Sequence, residues 1–285
     1  MSEHRVAARI LVEQGVSERR ACRVLEISRD SVRYESRGPD PVNVWLRAEL
    51  RAISARHRRW GSPRMTAVLQ RGMKVNHKRI ERLWREEGLP VPRKWRRRRF
   101  VTPLTEGPAA AQAPNETWSM DFVHNRTEYG QKLKMLTIVD DFTRECLEIR
   151  VEKRMRSREV METLDEIMTE RGAPKRIRTD NGSEFIVKEL RKWLMEQGVE
   201  PIAIEPGSPW QNGYIESFNG KLRDECLDGD LVYSRGEQQV VVDFYRDEYN
   251  HDRMHSSLGY RTPAEVLADP EGKSPADQGG SDAEG

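Results

Sequence analysis

From Glu116 onward the apolar residues leave helical spacing and fall into three consecutive strand candidates, TWSMDFV, KLKMLTIVDDF and ECLEIRVE. A helix over about 157–171, closed by Gly172, follows them, and KRIRTD is then a short strand. GSEFIVKELRKWLMEQG reads as a helix ending at Gly198, and VEPIAIEP as another strand. A long helix over about Gly213–Leu227 and a further one near Glu237–Tyr249 complete the block. A three-strand meander followed by alternating helix and strand restricts this part of the chain to an α/β domain with helices packed on a mixed sheet.

The first hundred residues follow a different pattern. They hold 26 Lys and Arg against 11 Asp and Glu, whereas the remaining 185 hold 23 against 36, so a formal net charge of +2 hides a front at +15 and a back at −13. A chain divided this way has a polyanion-binding front and a back that does something else. A helix over about His4–Gln14 stops at Gly15, Ser17 can cap a second, and Ser28 can cap a third over about Arg29–Ser36. This is either a helix-turn-helix, with Arg29, Ser31 and Arg33 offered to DNA, or a plain three-helix bundle. Past the break at Gly38, Pro39 and Pro41, a helix near Val42–Arg56 precedes a restart at Gly61 and Pro63. Asn76 then caps a helix through Glu87, with Ile80, Leu83 and Trp84 as its apolar stripe and Lys78 and Arg79 on other faces. KWRRRRF, with Arg96, Arg97, Arg98 and Arg99, is an arm for phosphates or a solvated linker. The resulting division is 1–38 and 42–100 as two helical DNA-binding units, 101–115 as a Pro/Ala-rich linker, 116–268 as the α/β domain and 269–285 as a disordered polar tail.

Two function classes are disfavoured at once. The longest uninterrupted apolar run, around Val240–Val242, is far too short to span a bilayer, and MSEHRVAARI lacks the apolar core of a secretion signal. Cys22, Cys146 and Cys226 form no CxxC pair and read as reduced and buried, and His4, Cys22, His57 and His77 lack zinc-ligand spacing.

Three acids in the α/β block stand where an acid is expensive unless used. Asp121 lies inside the first strand, Asp180 ends KRIRTD ahead of an Asn-Gly turn, and Glu216 sits on the helix GYIESFNGKLRDECL. Each has a bland reading of its own: an edge or salt-bridged Asp, a turn, a solvated Glu. Together, carboxylates without matching cations suit hard divalent ions, and two such ions can hold the attacking and leaving oxygens of an in-line phosphoryl displacement. Ile215, Phe218, Leu222 and Cys226 recur at +3, +7 and +11, a stripe suited to packing that helix on the sheet. Arg223, seven residues after Glu216, shares a neighbouring face and can follow a DNA phosphate.

WSMDF, TDNGSEF, the 35-residue gap between Asp180 and Glu216, and SPWQNGYIESFNGKLRDE resemble the catalytic core of the retroviral-integrase-like DDE superfamily, and within it insertion-sequence transposases. YNHDRMHSSLGYRTPAEVL resembles the end of that core, and VSERRACRVL and VNHKRIERLWREEGL extend the likeness over the helical front. The sequence departs from the pattern at Ser183, at Met254 and in RWGSPRM, none of them a metal-ligand position.

The resemblance implies a ribonuclease-H-like integrase core, a mixed five-stranded sheet with flanking helices, preceded by all-α helix-turn-helix units. It implies Asp121, Asp180 and Glu216 as ligands of two Mg²⁺ (or Mn²⁺) ions, Arg223 as the basic residue after the glutamate, and Asn181 and Asn219 near the site. Lys221 joins Arg29, Arg33, Lys78, Arg79 and Arg96–Arg99 as expected DNA contacts. The activity implied is metal-dependent cleavage at element ends and strand transfer into target DNA. The expected partners are double-stranded DNA, further copies of the chain and an upstream-frame protein, in the bacterial cytoplasm at the nucleoid. The competing readings are a DNA-binding regulator that has lost transposition and a ribonuclease-H-type nuclease, which leaves the helical front unexplained.

Overall fold

The computed structural model of the chain describes residues 2–34, 38–91, 111–179, 188–204, 212–229 and 231–272. They divide into two units, Met1–Glu49 and Leu50–Gly285. In the first, α1 (Ser2–Glu13), α2 (Glu18–Val24) and α3 (Arg29–Arg33) close around Ala8, Ala21, Cys22 and Val32. Ser28 caps α3 as the sequence predicts, its hydroxyl accepting from the Ser31 amide at 3.1 Å, whereas Ser17 holds the N-cap position of α2 without a side-chain bond. The third helix stops at Arg33, short of the expected Ser36, because Tyr34 takes up extended backbone.

The helix α4 (Pro41–Arg56) begins in the first unit and ends in the second, where α5 (Ser62–Gln70) and α6 (His77–Glu86) follow. Pro63 sits in the first turn of α5, where a missing N–H costs nothing. Asn76 Oδ1 caps α6 through the Lys78 amide at 2.8 Å. Gly88, just past its end, has φ +68°, a left-handed conformation that a side chain would strain.

The sheet contains β1 (Thr117–Arg126), β2 (Lys132–Asp140), β3 (Cys146–Glu152), β4 (Arg176–Thr179) and β5 (Glu200–Ala203) in the order β3-β2-β1-β4-β5. The meander β1-β2-β3 is antiparallel, and β4 and β5 add in parallel on the other side of β1, which therefore lies at the centre. Parallel addition needs crossovers, and α7 (Ser157–Arg171) and α8 (Lys188–Glu196) supply the helices for them. Strand alternation then splits the core in two. Trp118, Met120, Leu136, Ile138 and Ile177 pack with α7 and α8 on one face. Val123, Met135, Ile149 and Val151 face α9 (Gly213–Leu222) and α10 (Arg235–His251) on the other. A short helix, α11 (Pro263–Ala268), ends the described chain behind a capping box of Thr262 and Glu265. All three cysteines are free and buried. Among the described residues no helix is long and apolar enough to cross a membrane.

Candidate active site

Asp121 sits midway along the central strand, opposite Thr137 of β2, on the face that meets α9. Its Oδ1 accepts from the Phe122 amide at 2.7 Å and its Oδ2 from the Asn219 side-chain amide at 2.8 Å. Asn219 is itself buried, at 7 % exposure, and its Oδ1 lies 2.9 Å from the Thr137 hydroxyl. That hydroxyl is also 3.1 Å from the Asp121 backbone carbonyl, so its single proton is shared between two acceptors. One face of the sheet and one helix are thereby tied at the first carboxylate.

The same helix carries the second. Ile215, Phe218, Leu222 and Cys226 are all buried, so the stripe read from the sequence is the surface that α9 and the turn after it lay on the sheet. Glu216 stands outside that stripe, exposed, one turn before Asn219. Among the described residues it forms no hydrogen bond or ion pair. The long helix expected to reach Leu227 does so with a change of winding: Arg223–Leu227 is a π turn, closed by the Asp228 amide on the Arg223 carbonyl at 2.8 Å. Arg223 opens this turn, exposed, with Nη1 3.4 Å from the His124 carbonyl of β1.

Asp180 and Asn181 lie outside the described residues. The residue before Asp180, Thr179, pairs with Met120, the residue before Asp121. Upstream of that pair, Arg178 Nη1 donates to Asp141 at 2.7 Å, and the Ser119 hydroxyl donates to the same carboxylate at 2.6 Å. The Arg178 and Asp141 side chains are both almost fully buried. Burial pushes the Asp141 carboxyl up, against the lowering effect of Ser119, Arg178 and Arg144.

The basic residues expected on DNA have varied surroundings. Arg33 makes two hydrogen bonds to Glu18, at 2.8 and 2.9 Å, and Arg29 reaches the same carboxylate at 3.4 Å. Lys78 is exposed on α6 and Arg79 half-buried. Arg96, Arg97, Arg98 and Arg99 lie outside the described residues. Lys221 is not on the Glu216 flank of α9; it is half-buried beside Arg253, Glu225, Arg64 and Arg144, and burial draws its pKa down to about 8. Thr137 escaped the sequence reading, although a lone hydroxyl inside the run KLKMLTIVDDF was a usable signal.

A central strand bearing Asp121, antiparallel to one side and parallel to the other, defines a ribonuclease-H-like integrase core behind an HTH-like front. The Integrase core domain family matches residues 111–209, a second family of the same description matches 197–263, and an HTH-like domain family matches 45–99. The chain is 43% identical over 254 residues to the insertion element IS407 uncharacterized 31.7 kDa protein of Burkholderia multivorans, covering 89% of this chain and 91% of that protein. It is 42% identical over 263 residues to the insertion element IS476 uncharacterized 39.2 kDa protein of Xanthomonas euvesicatoria, covering 91% and 75%. Transposase InsF for insertion sequence IS3A of Escherichia coli is 26% identical over 75% of this chain and 78% of its own length. Among solved structures, the simian T-cell lymphotropic virus intasome in complex with PP2A regulatory subunit B56 gamma has a TM-score of 0.50 at 17% identity, over 78% of this chain and 75% of that one. The chain belongs to the insertion-sequence transposases of the integrase-core DDE superfamily.

Proposed function

We propose that this chain cuts one DNA strand at the ends of its element and joins the exposed 3′-OH to target DNA, using Asp121, Asp180 and Glu216 as a single carboxylate site. The observation that carries this reading is the bond from Asn219 to Asp121, which docks the Glu216 helix on the strand bearing the first acid. The pairing of Thr179 with Met120 supports bringing Asp180 to the same end of the sheet.

The donor set fits hard divalent cations such as Mg²⁺ or Mn²⁺. The two hydrogen bonds to Asp121 described above come from neutral N–H groups, and a carboxylate has about four acceptor positions. Bound there, a pair of such ions would supply Lewis-acid polarisation of the phosphate and stabilisation of the attacking and leaving oxygens. The protein's part is positional. Asn219 and Thr137 fix the Asp121 rotamer, the buried stripe of α9 fixes the height of Glu216, and the Arg178–Asp141 pair anchors β4 two residues before Asp180. In the first step a water oxygen attacks the phosphodiester in line and the 3′ oxygen leaves. In the second, that 3′-OH attacks a target phosphodiester and a target 3′-OH leaves, so no bond energy is needed from elsewhere.

Residues 1–38 and 42–100 would engage DNA through Arg29, Arg33, Lys78, Arg79 and the Arg96–Arg99 arm, and Arg223 would follow a phosphate beside the carboxylates. Two element ends must be joined together, so the working form is a homo-oligomer on DNA. The test is strand transfer of a labelled element-end oligonucleotide into plasmid with Mg²⁺ or Mn²⁺, comparing the wild type with Glu216→Gln and Asp180→Asn. Loss of a single metal contact worth several kcal/mol predicts a fall of roughly 10³-fold in joined product. Joining retained by either variant would remove the carboxylates from the mechanism.

A further inference from the structure

On the flank of α9 away from Glu216, four basic side chains from three parts of the second unit converge. Arg64 of α5 donates through Nε to the Met254 carbonyl at 2.9 Å, which seats it beside the segment after α10. Arg253 grips Glu225 with Nε and Nη2 at 2.7 and 2.6 Å and lies over the Tyr249 ring at 5.5 Å. His255 packs edge-on against the same ring at 4.9 Å. Lys221 stands one helical turn before Glu225, with no hydrogen-bond or ion-pair partner among the described residues.

This cluster has more positive charge and more donors than its surroundings use. Arg253 and His255 are 4 % and 3 % exposed, yet Arg253 Nη1 and His255 Nε2 have no hydrogen-bond partner among the described residues. Within the cluster, Glu225 alone faces three cationic side chains. Burial, with Arg253 close by, draws Arg64 down to about 10 and Lys221 to about 8, and it draws His255 to about 2, so the imidazole is neutral and has one N–H to give. Buried donors and excess charge of this kind are costly unless an anion completes them.

We propose that Arg64, Lys221, Arg253 and His255 form a pocket for a DNA backbone phosphate, separate from the carboxylate site. Glu216 and Lys221 are five residues apart, which turns them roughly 140° around α9, so this phosphate belongs to a stretch of DNA other than the one being cut. A second observation favours DNA over a free anion. Arg64 lies in the first turn of α5, inside the residues matching the HTH-like family, and the first helix of a helix-turn-helix crosses the DNA backbone. The inference rests on the DNA-binding reading above.

The test measures binding of a fluorescein-labelled 30-base-pair duplex without divalent metal, over a range of KCl, for the wild type, Lys221→Met and His255→Leu. Lys221→Met removes a half-buried charge and His255→Leu an uncharged donor, so one variant reports even if the other folds poorly. Lys221→Met should weaken binding roughly tenfold and lower the slope of log K against log salt by about 0.9, the worth of one phosphate. His255→Leu should weaken it severalfold at unchanged slope. Folded Lys221→Met and His255→Leu proteins with wild-type affinity and slope would overturn the pocket. Thermal stabilisation of the wild type by inorganic phosphate, lost in Lys221→Met but without any change in duplex slope, would overturn its assignment to DNA. Neither result bears on joining by the carboxylates, which Glu216→Gln tests separately.

Discussion

Asn219 Nδ2 lies 2.8 Å from Asp121 Oδ2, a bond between residues 98 positions apart that couples the Glu216 helix to the central strand. Removing one partner of a buried hydrogen bond costs about 1–3 kcal/mol. Here part of that cost falls on alignment. Asn219→Ala should lower the rate of strand transfer by roughly ten- to a hundredfold while duplex affinity stays within twofold. Asn219→Asp, which sets a second negative charge against Asp121, should be worse than Asn219→Ala at low Mg²⁺ and recover partly as Mg²⁺ is raised. Equal metal dependence of the two variants would show that Asn219 acts only in folding.

The Arg178–Asp141 pair predicts an asymmetric stability response. Both side chains are buried, so removing one leaves the other uncompensated, at a cost of roughly 3–5 kcal/mol, whereas removing both costs far less. Denaturant midpoints for Arg178→Leu, Asp141→Asn and the double variant test this. The double variant should recover most of the stability lost by Arg178→Leu, and simple additivity would contradict the pairing.

Glu18 occupies the two arginines that a helix-turn-helix reading assigns to DNA. Its carboxyl is held below its usual range by the hydrogen bond from Arg33 and then that from Arg29, and all three groups are solvent-facing. Glu18→Gln frees both cations and should strengthen duplex binding and steepen its salt dependence, with Arg33→Ala doing the reverse. If neither changes the slope, the first helical unit does not bind DNA through α3.

Lys221 gives a pH signature of the free protein. Burial and the nearby Arg253, Arg64 and Arg144 lower its pKa from 10.5 to about 8, with Glu225 opposing them. The folded chain therefore binds this proton less tightly than the unfolded chain. The resulting penalty, on the order of 3 kcal/mol, is fully present below about pH 8 and is relieved as pH rises toward 10.5. Lys221→Met should be the more stable protein at pH 7, and its advantage over the wild type should shrink between pH 8 and 10.5. Melting curves of the two proteins at pH 7, 8.5 and 10 test the sign, and a constant difference would refute it.

The fold was legible wherever a periodic pattern had one cause. The Ile215, Phe218, Leu222 and Cys226 stripe and the meander around Asp121 follow from burial alone, and both are as read. What failed to show was set by distant partners. Lys221 resembles any basic residue on a helix near DNA until Arg253, thirty-odd residues downstream, is seen beside it. Arg29 and Arg33 read as available until Glu18 is placed against them. The resemblance places Asn219 near the site, but its bond to Asp121 was invisible because that strand lies far back in the chain and no spacing rule links the two.

The π turn at Arg223–Leu227 limits how this helix can be compared by counting. Each π turn takes up roughly one more residue than an α turn, so it shifts the phase of everything after it. Up to Leu222, distance from Glu216 in sequence translates directly into angle around the helix. Cys226, inside the turn, still falls on the buried stripe, so the offset is felt only past Leu227. A comparison that slides by one at the end of this turn can therefore keep the buried stripe through Cys226, while a gapless one carries the offset into the residues after it.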